Sequence, residues 1–184
     1  LEALQMLYNQ WHACTIDELG QLENKPYSQF NPKHAMSVFT GSCKSAYLFV
    51  LRLAVRLCTE YSARYGRRHG CESRLRELAR LPVPRHIPTV QPDEFPGKIN
   101  SYNMTDEYKT KSHVYLATRD IPAGCKWFPL CLSDLDSLRC IDGHLSGVAS
   151  YRAYYMFKAN SPTFKKPFLR RKRKYNFKNL FTLP

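Results

Sequence analysis

The chain has 184 residues, 43% of them hydrophobic and 13% aromatic, and 28 Lys and Arg against 15 Asp and Glu leave a formal net charge of +13. That length suits one core with an appended arm, and so large a positive excess attracts polyanions; the many rings beside it favour nucleic acid over an anionic membrane surface or an acidic protein, because bases stack on rings. The most apolar stretch, AYLFVLRLAVRLC, is interrupted by Arg52 and Arg56 well short of the ~20 residues a membrane span needs, and no signal-peptide pattern opens the chain, so a protein with no membrane partner is expected.

In chain order, LEALQMLYNQWHA places Leu1, Leu4, Leu7 and Trp11 at helical spacing and predicts a first helix, broken off by Lys25, Pro26 and Asn31-Pro32. A long helix follows, from Ser42 as N-cap to Tyr65, with Gly66 free to take the left-handed conformation beyond its end. Its core stripe reads Tyr47, Leu51, Ala54, Cys58, Tyr61 and Tyr65, widened by Leu48, Val55 and Leu57. A short helix is predicted over Ser73 to Arg80. Five prolines, at 82, 84, 88, 92 and 96, then require an extended connector, since neither a helix nor a central strand tolerates them. Residues 112–121 have strand character, 133–139 resemble a capped helical turn, and 146–159 are again helical. From Ser161 the chain reads as an arm. The fold class expected is therefore mainly α: a small helical domain over 1–160 with a long central helix, a proline-rich connector, an irregular insertion at about 110–146, and a basic aromatic C-terminal arm over 161–184. Leu1 is not an initiator methionine, so the chain reads as a processed product or part of something longer.

Asn31, Tyr47, Glu60, Tyr61, Arg64, Tyr65, Gly66 and His69, then Met104, Tyr108 and Lys109, then Tyr151, Arg152, Tyr154, Tyr155 and Lys158, occur in an order that resembles a family of small uncharacterised helical proteins encoded by tailed phages. The pattern runs Asn-His-Pro, Glu-Tyr-x-x-Arg-Tyr-Gly-x-x-His and Tyr-Arg-x-Tyr-Tyr. Here Pro32 and Lys33 stand in place of His-Pro, and residues 110–146 separate segments that lie close together in the family. A looser likeness to pyrimidine-dimer DNA glycosylases, small phage repair enzymes with a helper glutamate, implies that Glu60 in its basic helical setting is a candidate catalytic residue.

Glu60 lies four residues from both Arg56 and Arg64, an arrangement that keeps a carboxylate ionised as a general base near phosphate or, more plainly, makes a helix-face charge ladder. Arg64 and Arg152 form the other catalytic candidates, a shared polar pair. Arg67, Arg68 and His69 follow a helix C-terminus, where cations either complement the macrodipole or grip nucleic acid. The rings at 151, 154 and 155 either stack bases or pack as core.

The seven cysteines are odd in number and form no CxxC pair, which fits an intracellular reducing compartment, the mitochondrial matrix or the cytoplasm. Cys125, Cys131, Cys140 and His144 nevertheless give four candidate zinc ligands in the insertion, against the reading of reduced, packed thiols. No cofactor is expected otherwise, because phosphate-loop, HExxH and GxSxG motifs do not occur.

The arm carries the clearest signal. Lys165, Lys166, Arg170, Arg171, Lys172, Arg173, Lys174 and Lys178 fall within fourteen residues, interleaved with Phe164, Phe168, Tyr175 and Phe177, and no acidic residue follows Asp142. Such a segment orders against a polyanion and releases counterions as it binds. The function expected is that of a nucleic-acid-binding structural or assembly component of a large ribonucleoprotein, such as an organellar ribosome, with RNA ahead of DNA as ligand and neighbouring proteins as further partners. A phage-type enzyme of base excision or modification, and an interaction protein with an acidic partner, are the alternatives; the enzyme ranks lower because no nucleophile with a base partner is visible.

Overall fold

The computed structural model describes residues 2–96, 115–132 and 135–160. The described chain is mainly α. In order it forms α1 (Glu2–Trp11), α2 (Ile16–Leu19), α3 (Ala35–Ser42), α4 (Lys44–Tyr65), α5 (Glu72–Leu78), β1 (Tyr115–Ala117), β2 (Phe128–Leu130), a 3-10 turn (Leu135–Ser137), β3 (Cys140–Ile141), β4 (His144–Leu145) and α6 (Gly147–Asn160).

The long helix is present and ends where expected, at Tyr65, with Gly66 left-handed at φ 66° and its N–H donating to the Ser62 carbonyl. Its start differs by one cap. Ser42 closes α3, and the extended Cys43 is the N-cap of α4, its sulfur accepting from the Ala46 N–H. Cys43 is also fully buried, so α3 and α4 meet at an angle around a packed thiol rather than at a solvated serine.

One buried cluster runs through α1, α3, α4, α5, β1, β2 and β4. Leu4, Leu7, Tyr8 and Trp11 of α1 meet Phe39 of α3 and Ala46, Tyr47, Val50, Leu51, Ala54 and Cys58 of α4. The burial of α4 stops at Cys58: Tyr61 is half-buried and Tyr65 exposed, because the helix runs past the body it packs on. The stretch expected as an irregular insertion carries two small antiparallel pairs, with Tyr115 opposite Leu130 and Cys140 opposite Leu145. It adds Tyr115, Ala117, Trp127, Phe128, Leu130 and Leu145 to the same cluster. Phe39 is the junction, its ring 4.9 Å from Phe128 and 6.0 Å from Trp127 in edge-on contacts.

Over residues 82–96 the proline connector forms neither helix nor strand, turns where the Ile87 N–H donates to the Pro84 carbonyl, and is fastened by a buried glutamine. Gln91 accepts from the N–H groups of Lys126 (2.6 Å) and Trp127 (3.2 Å), and its amide donates to Ser42 Oγ (2.9 Å) and the Trp127 carbonyl (3.3 Å). One side chain thereby ties α3, the connector and the approach to β2. Every polar atom it takes from water is used, which is the condition for burying it without cost.

Candidate nucleic-acid interface

The sequence nominates two basic aromatic places among the described residues, the C-terminal end of α4 and the helix α6. At the first, Gly66 turns the chain, which brings Arg67 back over the helix: its Nε donates to Tyr61 Oη at 3.2 Å, with the guanidinium 6.0 Å from the ring centroid. His69 stands edge-on to Tyr61 at 4.8 Å, and its Nδ1 accepts from the Cys71 N–H at 3.2 Å, so one of its ring nitrogens serves the local turn. Arg68 is exposed and lines a cavity of about 450 Å3 with Arg76 and Arg80 opposite Glu23, Glu72 and Glu77. Arg76 is bound to Glu72, and the Glu77 carboxylate accepts from the N–H groups of Glu23 and Asn24 and from the Asn24 amide. The cavity is therefore electrostatically balanced at its base, with its cationic character at the rim.

Glu60 and Arg64 form an ion pair one turn apart on the exposed face of α4. Glu60 lines none of three cavities around α1, α3, α4 and α5. This is the geometry of a surface charge ladder, worth a few tenths of a kcal/mol in general. Arg64 is tied to Glu60 on α4, whereas Arg152 follows Tyr151 on α6, which packs on Phe128 and through it on Phe49, fifteen residues before Arg64.

On α6 the rings divide. Tyr151 packs against Phe128 at 6.0 Å, and burial raises its hydroxyl pKa. The distal half turns outward: Tyr155, Met156 and Phe157 are 54%, 57% and 49% exposed. Arg152 is exposed beside them, and Lys158 Nζ lies 5.3 Å from the Tyr154 ring centroid. Phe157, Met156 and Lys158 are additions to the predicted set. Rings at 151, 154, 155 and 157 spread over about 160° of the helix circumference, wider than the roughly 100° stripe a surface helix buries, so an outward ring was foreshadowed by the spacing. The α6 C-terminus at Asn160 leads straight into the arm, whose cations Lys165, Lys166, Arg170, Arg171, Lys172, Arg173, Lys174 and Lys178 lie outside the described residues.

The four candidate metal ligands are not brought together. Cys125 adjoins Cys43 at the α4 N-terminus, and burial, with the neighbouring Cys43 thiol, pushes its pKa up to about 12. Cys131 lies between the Met36 backbone and Tyr151, pushed up to about 11 by burial. Cys140 is exposed on β3, and His144 on β4 shares a hydrogen bond of 3.1 Å with Thr118 Oγ1. Among the described residues no group of three or more His, Cys, Asp or Glu side chains is placed to hold a metal ion. Raised thiol pKa values are those of packed, protonated cysteines rather than reactive thiolates.

Two buried carboxylates escaped sequence reasoning. Glu18 caps α2 in a box with Thr15 and also accepts from the Arg85 N–H at 2.9 Å. Glu77 holds the 23–24 turn as described. The first was legible as Thr-x-x-Glu; the second has no local signature, because its partners are more than fifty positions away. Both are structural clamps with their oxygens committed to N–H groups. Among the described residues no single helix is long and apolar enough to cross a membrane. Comparison of the chain with family models, curated proteins and solved structures yields no match.

Proposed function

We propose that the chain is a nucleic-acid-binding structural or assembly component of a large ribonucleoprotein, anchored by its basic arm, with RNA as ligand. The observation that carries this reading is the continuity of α6 with the arm: Tyr155 and Phe157 face solvent beside Arg152 and Lys158, and the helix leads into eight cations interleaved with four rings. The cations meet phosphates and the rings stack unpaired bases, so backbone attraction and base contact come from one continuous stretch. Seven free cysteines support a reducing compartment, the mitochondrial matrix or the cytoplasm.

The test is a salt titration. With a single-stranded RNA oligonucleotide, log affinity should fall with log salt at a slope of about −0.7 per phosphate contact, for roughly six to eight contacts. Replacing Arg170, Arg171, Lys172, Arg173 and Lys174 by glutamine in the full chain should flatten that slope by about 3 to 4. An unchanged slope, or equal preference for RNA and heparin, defeats the proposal.

A further inference from the structure

The outward face of α4 carries two rows that the nucleic-acid reading leaves unused. Leu53, Leu57, Tyr61 and Tyr65 recur every fourth residue, with Leu53 40%, Leu57 55% and Tyr65 39% exposed. Beside them, also every fourth residue, run Arg52, Arg56, Glu60 and Arg64. Two leucines left in water on a 22-residue helix whose other face is core are, among the described residues, an apolar surface without a cover. Leu57 and Tyr61 form one wall of a groove whose floor is Leu4, Ala54, Cys58 and Leu75 and whose far wall includes His69. Its volume, about 160 Å3, is below the roughly 300–1,000 Å3 of small-molecule sites. It is suited instead to an anchoring side chain.

We infer that this groove and the leucine row above it dock an acidic amphipathic helix of a partner protein. The row of cations sets the sign: Arg52 and Arg56 are exposed, and Arg67 lies over Tyr61 at the groove wall, so a helix bearing acidic residues along the flank of an aliphatic ridge meets opposite charge while its ridge fills the groove. A second copy of this chain fits poorly, since two such faces place arginine rows together on molecules each carrying +13. RNA is the weaker occupant, because Leu53 and Leu57 offer no stacking plane, the Tyr61 ring is already met by Arg67 and His69, and Glu60, in the middle of the charged row, repels phosphate. Among the described residues the groove is lined from α1, α4, α5 and His69 and by none of α6, so this docking is tested apart from RNA binding.

The probe is a synthetic helical peptide with leucines at i, i+3, i+4 and i+7 and glutamates on both flanks. Its controls are a scramble of the same composition and a single-stranded RNA oligonucleotide, each titrated against the full chain by fluorescence anisotropy. The ridge peptide is expected to bind about tenfold tighter than the scramble or better, a difference of about 1.4 kcal/mol. Leu57→Glu should abolish that preference, with the arm's RNA affinity unchanged. Arg56→Glu should weaken the glutamate-flanked peptide and strengthen a lysine-flanked version of the same ridge, a reversal that loss of folding cannot produce. Equal affinity for ridge and scramble overturns the inference, as does a preference that survives Leu57→Glu. Displacement of the ridge peptide by RNA, lost in Leu57→Glu, would make the groove a nucleic-acid surface, and concentration-dependent dimers lost in the same variant would make it a self-interface.

Discussion

Helices α4 and α6 are both rich in rings and arginines, yet they are attached in opposite ways. Over its first fifteen residues α4 buries Ala46, Tyr47, Val50, Leu51, Ala54 and Cys58, and its partners α1, α3 and α5 pack around it. In α6 the buried residues are only Gly147 and Ser150. That helix is fastened at its start by polar contacts: Ser146 Oγ donates to Asp120 and accepts from the Ala149 N–H, the Gly147 N–H donates to the Arg119 carbonyl, and Ser150 Oγ accepts from the Arg139 N–H. One helix is held by area removed from water along a face, the other by a cluster of small residues at one end. The difference leaves the distal rings of α6 available to a partner, where Tyr47 near the start of α4 became core.

The largest effect should come from emptying the α4 side of that comparison. Tyr47 is 1% exposed, and its hydroxyl accepts from Trp11 Nε1 at 2.9 Å. Tyr47→Ala removes an aromatic core ring, at a cost of about 3–5 kcal/mol, and leaves the indole N–H without its acceptor. Tyr47→Phe isolates the second part at about 1–3 kcal/mol. Denaturant unfolding of both variants checks the order; a Tyr47→Ala loss below that of Tyr47→Phe would show that the ring is not packed as described.

On the α6 side, Gly147 is the vulnerable position. A Cβ there would lie 2.9 Å from the Asp120 carbonyl oxygen, a backbone atom that cannot swing aside. Gly147→Ala should therefore cost about 1–3 kcal/mol through overpacking, despite the helix propensity alanine adds. A neutral or stabilising result in thermal unfolding would mean that the α6 start is looser than its hydrogen bonds imply.

Helices α1, α4, α5 and α6 were legible because their apolar residues repeat at helical spacing, while α2 and α3 were not read, and Gly66 and the proline run marked ends that local chemistry alone decides. What escaped reading depended on distant partners. Trp127 and Phe128 gave no sign that they would seat on Phe39, nor Gln91 that it would bind four groups across the connector, since neither relation has a local period. The α3 break at Cys43 was missed because serine at 42 is the better cap by propensity, and burial of the thiol decided otherwise. For the candidate site, the charges were visible and their pairing was not: Glu60 with Arg64 follows from spacing, whereas the distance between Arg64 and Arg152 follows only from the fold.

A smaller effect separates the two regions by pH. The Arg85 N–H, then the Thr15 N–H, hold the Glu18 carboxyl below its ordinary range. A depressed folded pKa gives stability that is fully present above the unfolded value, about 4.3, and lost as pH falls through the folded one. The unfolding temperature should thus drop below about pH 4, and Glu18→Gln should flatten part of that acid limb. A variant with the full wild-type acid slope would assign the loss to other carboxylates.

The smallest expected effect concerns the residue that raised the enzymatic alternative. Glu60 is half-exposed and paired along its own helix with Arg64. Glu60→Gln removes one exposed i,i+4 attraction and should change stability by less than about 1 kcal/mol. It also relieves a repulsion toward phosphate, so RNA affinity should stay level or rise slightly. A general base behaves differently: its amide variant keeps the fold and the ligand and loses the reaction. Incubating the wild type and Glu60→Gln with DNA containing a cyclobutane pyrimidine dimer, and resolving the strands on a denaturing gel, separates these cases. Intact strands with both proteins accord with a charge ladder. Incision by the wild type that disappears in Glu60→Gln would make α4 a catalytic helix and turn the comparison with α6 around, with the core-forming helix carrying chemistry as well.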